Sequence, residues 1–119
     1  MALPAWAGFD WQLVGSSETE QVFIDRAGLE RRGDRIFFHE RRVPRLKTID
    51  VPSQRPVREV LLKRALNCSK LRVTTLSRAV FSDDDALIDH QATRLHEARW
   101  QVIAPGEAIF QLVCGKVKS

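Results

Sequence analysis

Between Val57 and Phe81, two runs rich in Leu, Val and Thr flank the polar tetrad Asn67-Cys68-Ser69-Lys70. Apolar runs separated by a short polar break are the mark of a β-hairpin. A turn that sets Leu66 opposite Leu71 puts Leu61 against Leu76, Leu62 against Thr75 and Glu59 against Arg78, each a sensible cross-strand pair. Cys and Ser are poor choices for the centre of a two-residue primed turn. The spacing therefore predicts a four-residue loop, with Cys68 at its tip and Asn67 tolerating the left-handed backbone of a tight turn.

The same reading extends to both sides of this hairpin. Trp11 to Gly15 and Gln21 to Asp25 are short β-type runs joined across polar Ser16 to Glu20, a hairpin with a longer loop. In the second run, Val22 and Ile24 share one face and Phe23 and Asp25 the other. Asp25 opens a turn region that closes at Arg32-Gly33-Asp34, where Gly33 supplies a positive φ. Arg35 to Arg42 resumes as a strand with Ile36 and Phe38 on one face and Phe37 and His39 opposite; apolar residues on both faces predict a central position. Pro44, Pro52 and Pro56 then break the pattern, because proline cannot donate to a sheet ladder, and Val43 to Pro56 reads as a loop or irregular edge.

Beyond the hairpin, Ser82 to Asp85 is an acidic break. A strand is expected over Ala86 to His90, and Thr93 to Arg99 fits a turn of helix. Trp100 to Ile103 is a short apolar run. Pro105-Gly106-Glu107 looks like a helix start, with proline in the first turn and an acid near the positive end of the dipole. Ala108, Ile109, Leu112 and Val113 continue it as an apolar stripe through Cys114, and Gly115 with Lys116 is a reasonable stop.

At 119 residues the chain fits one domain. A hydrophobic fraction of 44% with 29% charged is ordinary for a folded protein, and no run approaches the apolar length of a membrane span. The net charge of +4 is unevenly spread. From Arg41 to Arg78 there are eleven basic residues against two acids, so that stretch alone carries +9. Its first half, Arg41, Arg42, Arg45, Lys47, Arg55 and Arg58, forms a candidate partner-binding region. Such a block attracts polyanions, whether nucleic acid, sulfated glycan or an anionic membrane surface, and is equally compatible with a solvated face that has no dedicated ligand.

Specific chemistry is harder to find. His90 and His96 stand about 120° apart on a helix or about 20 Å apart along a strand, so neither geometry converges on one ion. Asp89 and Glu97 do not repair this. Asp83-Asp84-Asp85 fails as an EF-hand, with Leu87, Ile88 and Arg94 where a ligand, a glycine and a glutamate are needed. There is no Gly-x-Ser-x-Gly elbow, no Cys-x-x-Cys and no phosphate loop. No catalytic residue, metal site or cofactor is expected. Phe37, Phe38 and Phe81 could in principle stack on bases, but their strand patterns place them in the core.

Cys68 and Cys114 are far apart in sequence, which suits one disulfide in an exported protein better than a metal site, or else two buried free thiols in a cytosolic one. Closing a loop of that length would contribute roughly 4 kcal/mol. Ala5-Trp6-Ala7 matches a signal-peptidase pattern with Gly8 as the mature N-terminus, without the charged and long apolar regions of a complete signal. Residues 1–7 are thus a candidate signal-peptide remnant ahead of a single domain over 8–119.

The order of these features resembles the surface-adhesin protein E-like family of small exported bacterial domains. Trp11-x-x-Val14 opens the match, followed by Phe23-Ile24-Asp25 with Arg32-Gly33-Asp34, Asn67-Cys68 at a strand end, and Trp100-x-x-Ile103-x-Pro105-Gly106 leading into a helix that ends at Cys114. The chain departs from the pattern in having no Tyr, with Phe23 and Phe81 where Tyr is usual, and in having Glu107 where Ser commonly begins the helix. The resemblance implies an α+β fold, mainly antiparallel β-sheet with a C-terminal α-helix, one disulfide between Cys68 and Cys114, and export to the periplasm, outer surface or medium. The eponymous member is an adhesin for host extracellular-matrix proteins and plasminogen. A non-enzymatic binding module for a host or envelope macromolecule, protein or glycan, is therefore the expectation here. The alternative is a basic polyanion-binding protein, with nucleic acid the less expected ligand.

Overall fold

The period-two alternation of apolar and polar side chains builds an antiparallel sheet with a helix against one face. A computed structural model describes residues 9–117, so the candidate signal-peptide remnant lies outside the described residues. The strands are β1 (Trp11–Ser16), β2 (Glu20–Asp25), β3 (Glu30–Arg32), β4 (Arg35–Pro44), β5 (Ile49–Asp50), β6 (Arg55–Asn67), β7 (Arg72–Ser82), β8 (Leu87–Ala92) and β9 (Gln101–Val102), followed by α1 (Ala108–Val117). The main path across the sheet is β1-β2-β4-β6-β7-β8; β3 adds to β4, β5 to β6 and β9 to β7. Residues Leu95–Glu97 form a 3-10 turn in the expected position.

β4 is central, as its two apolar faces require. Ile36 and Phe38 are buried on one side, and that side meets Ile24 of β2, Leu66 of β6, Val73 of β7 and Val113 and Cys114 of α1. The helix lies against β1 and β4. Ahead of the helix, Glu107 Oε2 accepts the Ala104 amide at 2.7 Å and the Glu107 amide donates to the Ala104 carbonyl at 3.1 Å, closing the turn that leads into α1. Cys114 is bonded to Cys68 with Cα atoms 5.9 Å apart, and the disulfide ties the helix to the β6–β7 loop.

The turns obey local rules. Gly33 takes φ +65° between β3 and β4, open to glycine without a steric penalty. Asp25 is buried and opens its turn by accepting the Ala27 amide at 3.1 Å and the Asp10 amide at 2.8 Å. A Cβ at Gly28 would collide with that carboxylate. β3 is an addition to the expected strands: Glu30-Arg31-Arg32 is exposed and polar, so no hydrophobic period announces it.

The central hairpin forms, with its register changed. Leu66 faces Val73, Leu62 faces Arg78, Leu61 faces Ala79 and Glu59 faces Phe81. The loop is four residues long, as expected, but runs Cys68 to Leu71, one residue later than the polar tetrad. Leu71, not Asn67, takes the left-handed backbone, at φ +55°. Asn67 is instead a buried anchor: its Oδ1 accepts from Lys70 N and Ser69 Oγ, and its Nδ2 donates to Asp34. Two bulges then shift the pairing, one leaving Leu76 unpaired in β7 and one leaving Arg58 unpaired in β6. A bulge adds a residue to one strand and reverses the facing of the residues beyond it. The helix also runs through Gly115 to Val117, because a glycine weakens a helix interior by about 1 kcal/mol without ending it.

Candidate functional site

The six basic residues singled out between Arg41 and Arg58 are divided by the sheet. Arg41 and Arg42 are consecutive in β4, so their side chains leave on opposite faces. Arg41 bonds Glu59 of β6 through Nε at 2.9 Å and stacks its guanidinium 5.6 Å from the centre of the Phe23 ring. Arg58 reaches the other oxygen of Glu59 at 3.6 Å and also pairs with Asp85. Arg55 pairs with Asp84. The hydroxyl of Ser82, then the Ala86 amide and Arg55, hold the Asp84 carboxyl below its ordinary range. The acidic break after β7 thus neutralises the start of β6.

Arg45 and Lys47 differ. Both are exposed in the loop between β4 and β5, and among the described residues neither has a carboxylate within ion-pair distance. The same loop region exposes Leu46 (63%), Ile49 (43%) and Val51 (76%). Cations beside exposed apolar side chains make this the part of the six-residue candidate region open to a partner.

On the other sheet face, Arg42 enters an ionic stripe. Its Nε donates to Glu40 at 2.6 Å and its Nη1 lies 3.8 Å from Glu20. Glu40 is fully buried. Its second oxygen accepts from Arg64 Nη1 at 2.9 Å, and Arg64 Nε donates to Thr75 Oγ1 at 3.0 Å. Glu20, Arg42, Glu40, Arg64 and Thr75 therefore join β2, β4, β6 and β7. A buried carboxylate is tolerated only when paired and hydrogen-bonded, and two guanidinium groups meet that condition. Glu40 and Arg64 are not among the residues singled out from the sequence. The signal was present: both occupy the inward phase of an apolar alternation, Glu40 after Ile36 and Phe38, Arg64 between Leu62 and Leu66.

Elsewhere the chemistry is sparse. His39 lies 5.7 Å from the Phe9 ring, and among the described residues its buried Nδ1 has no hydrogen-bond partner. Burial lowers its pKa; Asp25 opposes the shift and Lys63 adds to it. His90 is on β8 and His96 in the 3-10 turn, and among the described residues no group of three His, Cys, Asp or Glu side chains is placed to hold a metal. No described helix is long and apolar enough to cross a membrane. An apolar cavity of about 620 Å³ opens beside the disulfide, between α1 and the β3–β4 turn.

The family model of surface-adhesin protein E matches residues 11–115. The chain belongs to that family. No curated protein sequence matches it, but solved structures of Haemophilus influenzae protein E do. Crystal form II superposes with a TM-score of 0.65 at 15% identity, covering 95% of this chain and 91% of that one. A second structure of Haemophilus influenzae protein E gives 0.57 at 16% identity, covering 98% and 92%. Protein E from non-typeable Haemophilus influenzae gives 0.53 at 16%, covering 96% and 79%. At such identities the structures show a shared fold. The antiparallel sheet, C-terminal helix and Cys68–Cys114 disulfide agree with what the family resemblance implied.

Proposed function

We propose that this chain is an exported, non-enzymatic binding module of the surface-adhesin type, which contacts a host or envelope macromolecule through its basic segment. The observation that carries this reading is the match of the adhesin family model to almost the whole chain. The disulfide supports export, since such bonds persist in oxidising compartments. Among the six candidate residues, Arg45 and Lys47 are the ones to test, because the carboxylates around Arg41, Arg42, Arg55 and Arg58 already engage those four.

The test has two parts. Intact mass of the protein from its native host, before and after reduction and alkylation, should show loss of residues 1–7 and two thiols that alkylate after reduction alone. An unprocessed chain with free thiols would end the export reading. Binding to immobilised extracellular-matrix proteins and to heparin should fall about tenfold in the variant carrying Arg45→Ser and Lys47→Ser, the loss of roughly one charge-assisted contact. Unchanged binding removes the loop from the account. A steep loss of affinity with added salt for every polyanion tried would favour the polyanion-binding alternative.

A further inference from the structure

The outer edge of β7 is not evenly covered. β8 pairs with it over Ser77–Phe81 and β9 over Arg72–Val73, which leaves Thr74–Leu76, the site of the bulge, without a strand neighbour on that side among the described residues. The segment from Thr93 to Gln101 spans this gap. It is held by the Thr93 amide on the Leu76 carbonyl at 2.8 Å and by the Thr74 hydroxyl on the Arg99 carbonyl at 2.7 Å. Between segment and strand lies a cavity of about 320 Å³ with Arg64 and Thr75 at its base and Thr93, Glu97, Arg99 and Gln101 around it. A second cavity of about 280 Å³ adjoins it, sharing Thr75 and Thr93 and adding Arg78 and Gln91.

The base of the first cavity is preorganised. Arg64 is 12% exposed, and its guanidinium is fixed by Glu40 through Nη1 and by Thr75 through Nε. Its Nη2 has no acceptor among the described residues. Arg99 brings a second guanidinium, exposed and without a carboxylate within ion-pair distance among the described residues. Paired guanidinium groups select a planar carboxylate. The remaining lining consists of neutral or accepting groups: Thr74, the Thr75 and Thr93 hydroxyls, the Gln101 amide and the Glu97 carboxylate, which lies 3.4 Å from His96 Nε2. Glu97 disfavours a highly charged phosphate and suits hydroxyl groups that donate. A volume at the low end of small-molecule sites holds one ring, and the adjoining cavity has room for the next.

We propose that this cavity is a subsite for a carboxylated monosaccharide, of the uronic or sialic acid type, at the end of a glycan. The carboxylate lies between Arg64 and Arg99, the ring hydroxyls meet Thr93, Glu97 and Gln101, and the following sugar occupies the second cavity. The proposal rests on the binding-module reading and deepens it by naming a ligand class. It uses different residues from the β4–β5 loop, so the two fail separately.

The test is a titration of the isotopically labelled full chain, followed by amide NMR at fixed ionic strength, with glucuronic acid, N-acetylneuraminic acid, galactose and sulfate as probes. Either acid is expected to shift the amides of Thr75, Thr93 and Arg99 with saturation, and galactose to bind about tenfold more weakly. Arg99→Ala should weaken the acid about tenfold without disturbing distant amides. Arg64→Lys keeps a cation beside Glu40 but loses the planar fork, and should weaken it in the same way in a folded protein. Equal binding of galactose, equal shifts with sulfate, shifts confined to Arg45 and Lys47, or an Arg99→Ala protein that binds normally would each overturn the proposal. An unaltered chain that binds matrix protein but neither acid sugar would overturn this subsite and leave the adhesin reading standing.

Discussion

Two ends of one sheet face are built from the same strands by opposite means. In the row Ile36, Leu66 and Val73, every side chain is apolar, and α1 covers it. One row further, Phe38 is followed by Arg64 and Thr75, and the next row sets Glu40 between Ile24 and Leu62. The first end is held by burial under a helix that a covalent bond retains. The second is held by charges that satisfy each other. Apolar packing is additive and tolerant of small changes, whereas a buried ion pair is stable only while every partner is present. The difference makes the helix end a matter of covalent tethering and the ionic end a matter of complete composition.

Removing the tether should have the largest effect. Replacing both Cys68 and Cys114 by Ser is expected to cost roughly 4 kcal/mol for a separation of 46 residues, measured by denaturant unfolding. Hydrogen exchange should rise first in α1 and its neighbours on β1 and β4, ahead of β7 and β8. Simultaneous loss of protection in all strands would mean that the two ends are one cooperative unit.

Breaking the ionic end should come next. Arg64→Met leaves Glu40 buried with a single partner and is expected to destabilise by about 3 kcal/mol. Replacing Glu40 and Arg64 together by apolar residues of similar volume should recover to within about 1 kcal/mol of the parent. If the double replacement is as damaging as the single one, Arg42 and Glu20 depend on Glu40 more than the geometry implies. For contrast, Glu30 and Arg32 form a pair with both side chains more than half exposed; Glu30→Ala should change stability by less than about 0.5 kcal/mol.

The smallest expected effect is a pH dependence from the face opposite to α1. The folded state lowers the pKa of His39 below its ordinary 6.5, chiefly by burial. The unfolded chain therefore binds the proton more readily, and stability declines as pH falls below 6.5 until the folded pKa is passed. His39→Gln should flatten that slope in unfolding curves taken between neutral and mildly acidic pH. An unchanged slope would assign it to other groups.

Much of the fold was legible because it rests on local rules. Alternation put Ile36 and Phe38 on one face of a central strand, Gly33 marked a tight turn, and the apolar stripe of Ile109, Leu112 and Val113 marked the helix. The register of the central hairpin was not legible, since it depends on which residue takes the left-handed backbone and on two bulges. Leu71 and Leu76 look like ordinary strand residues in the sequence. The basic segment illustrates the same limit. Its charge was plain, but most of the carboxylates that neutralise it come from Glu20, Glu40, Asp84 and Asp85, outside the segment.

The sequence by itself determined the main strands and the helix, their order, the family and the residues able to form a disulfide, because periodicity, turn chemistry and motif spacing act over a few neighbours. The tertiary structure decided which cations are spent and which are free. It also decided that Glu40 and Arg64 meet, and that a gap between β8 and β9 leaves a polar cavity. These depend on strands brought together from distant parts of the chain, where pairing register, rather than local preference, sets which charges touch.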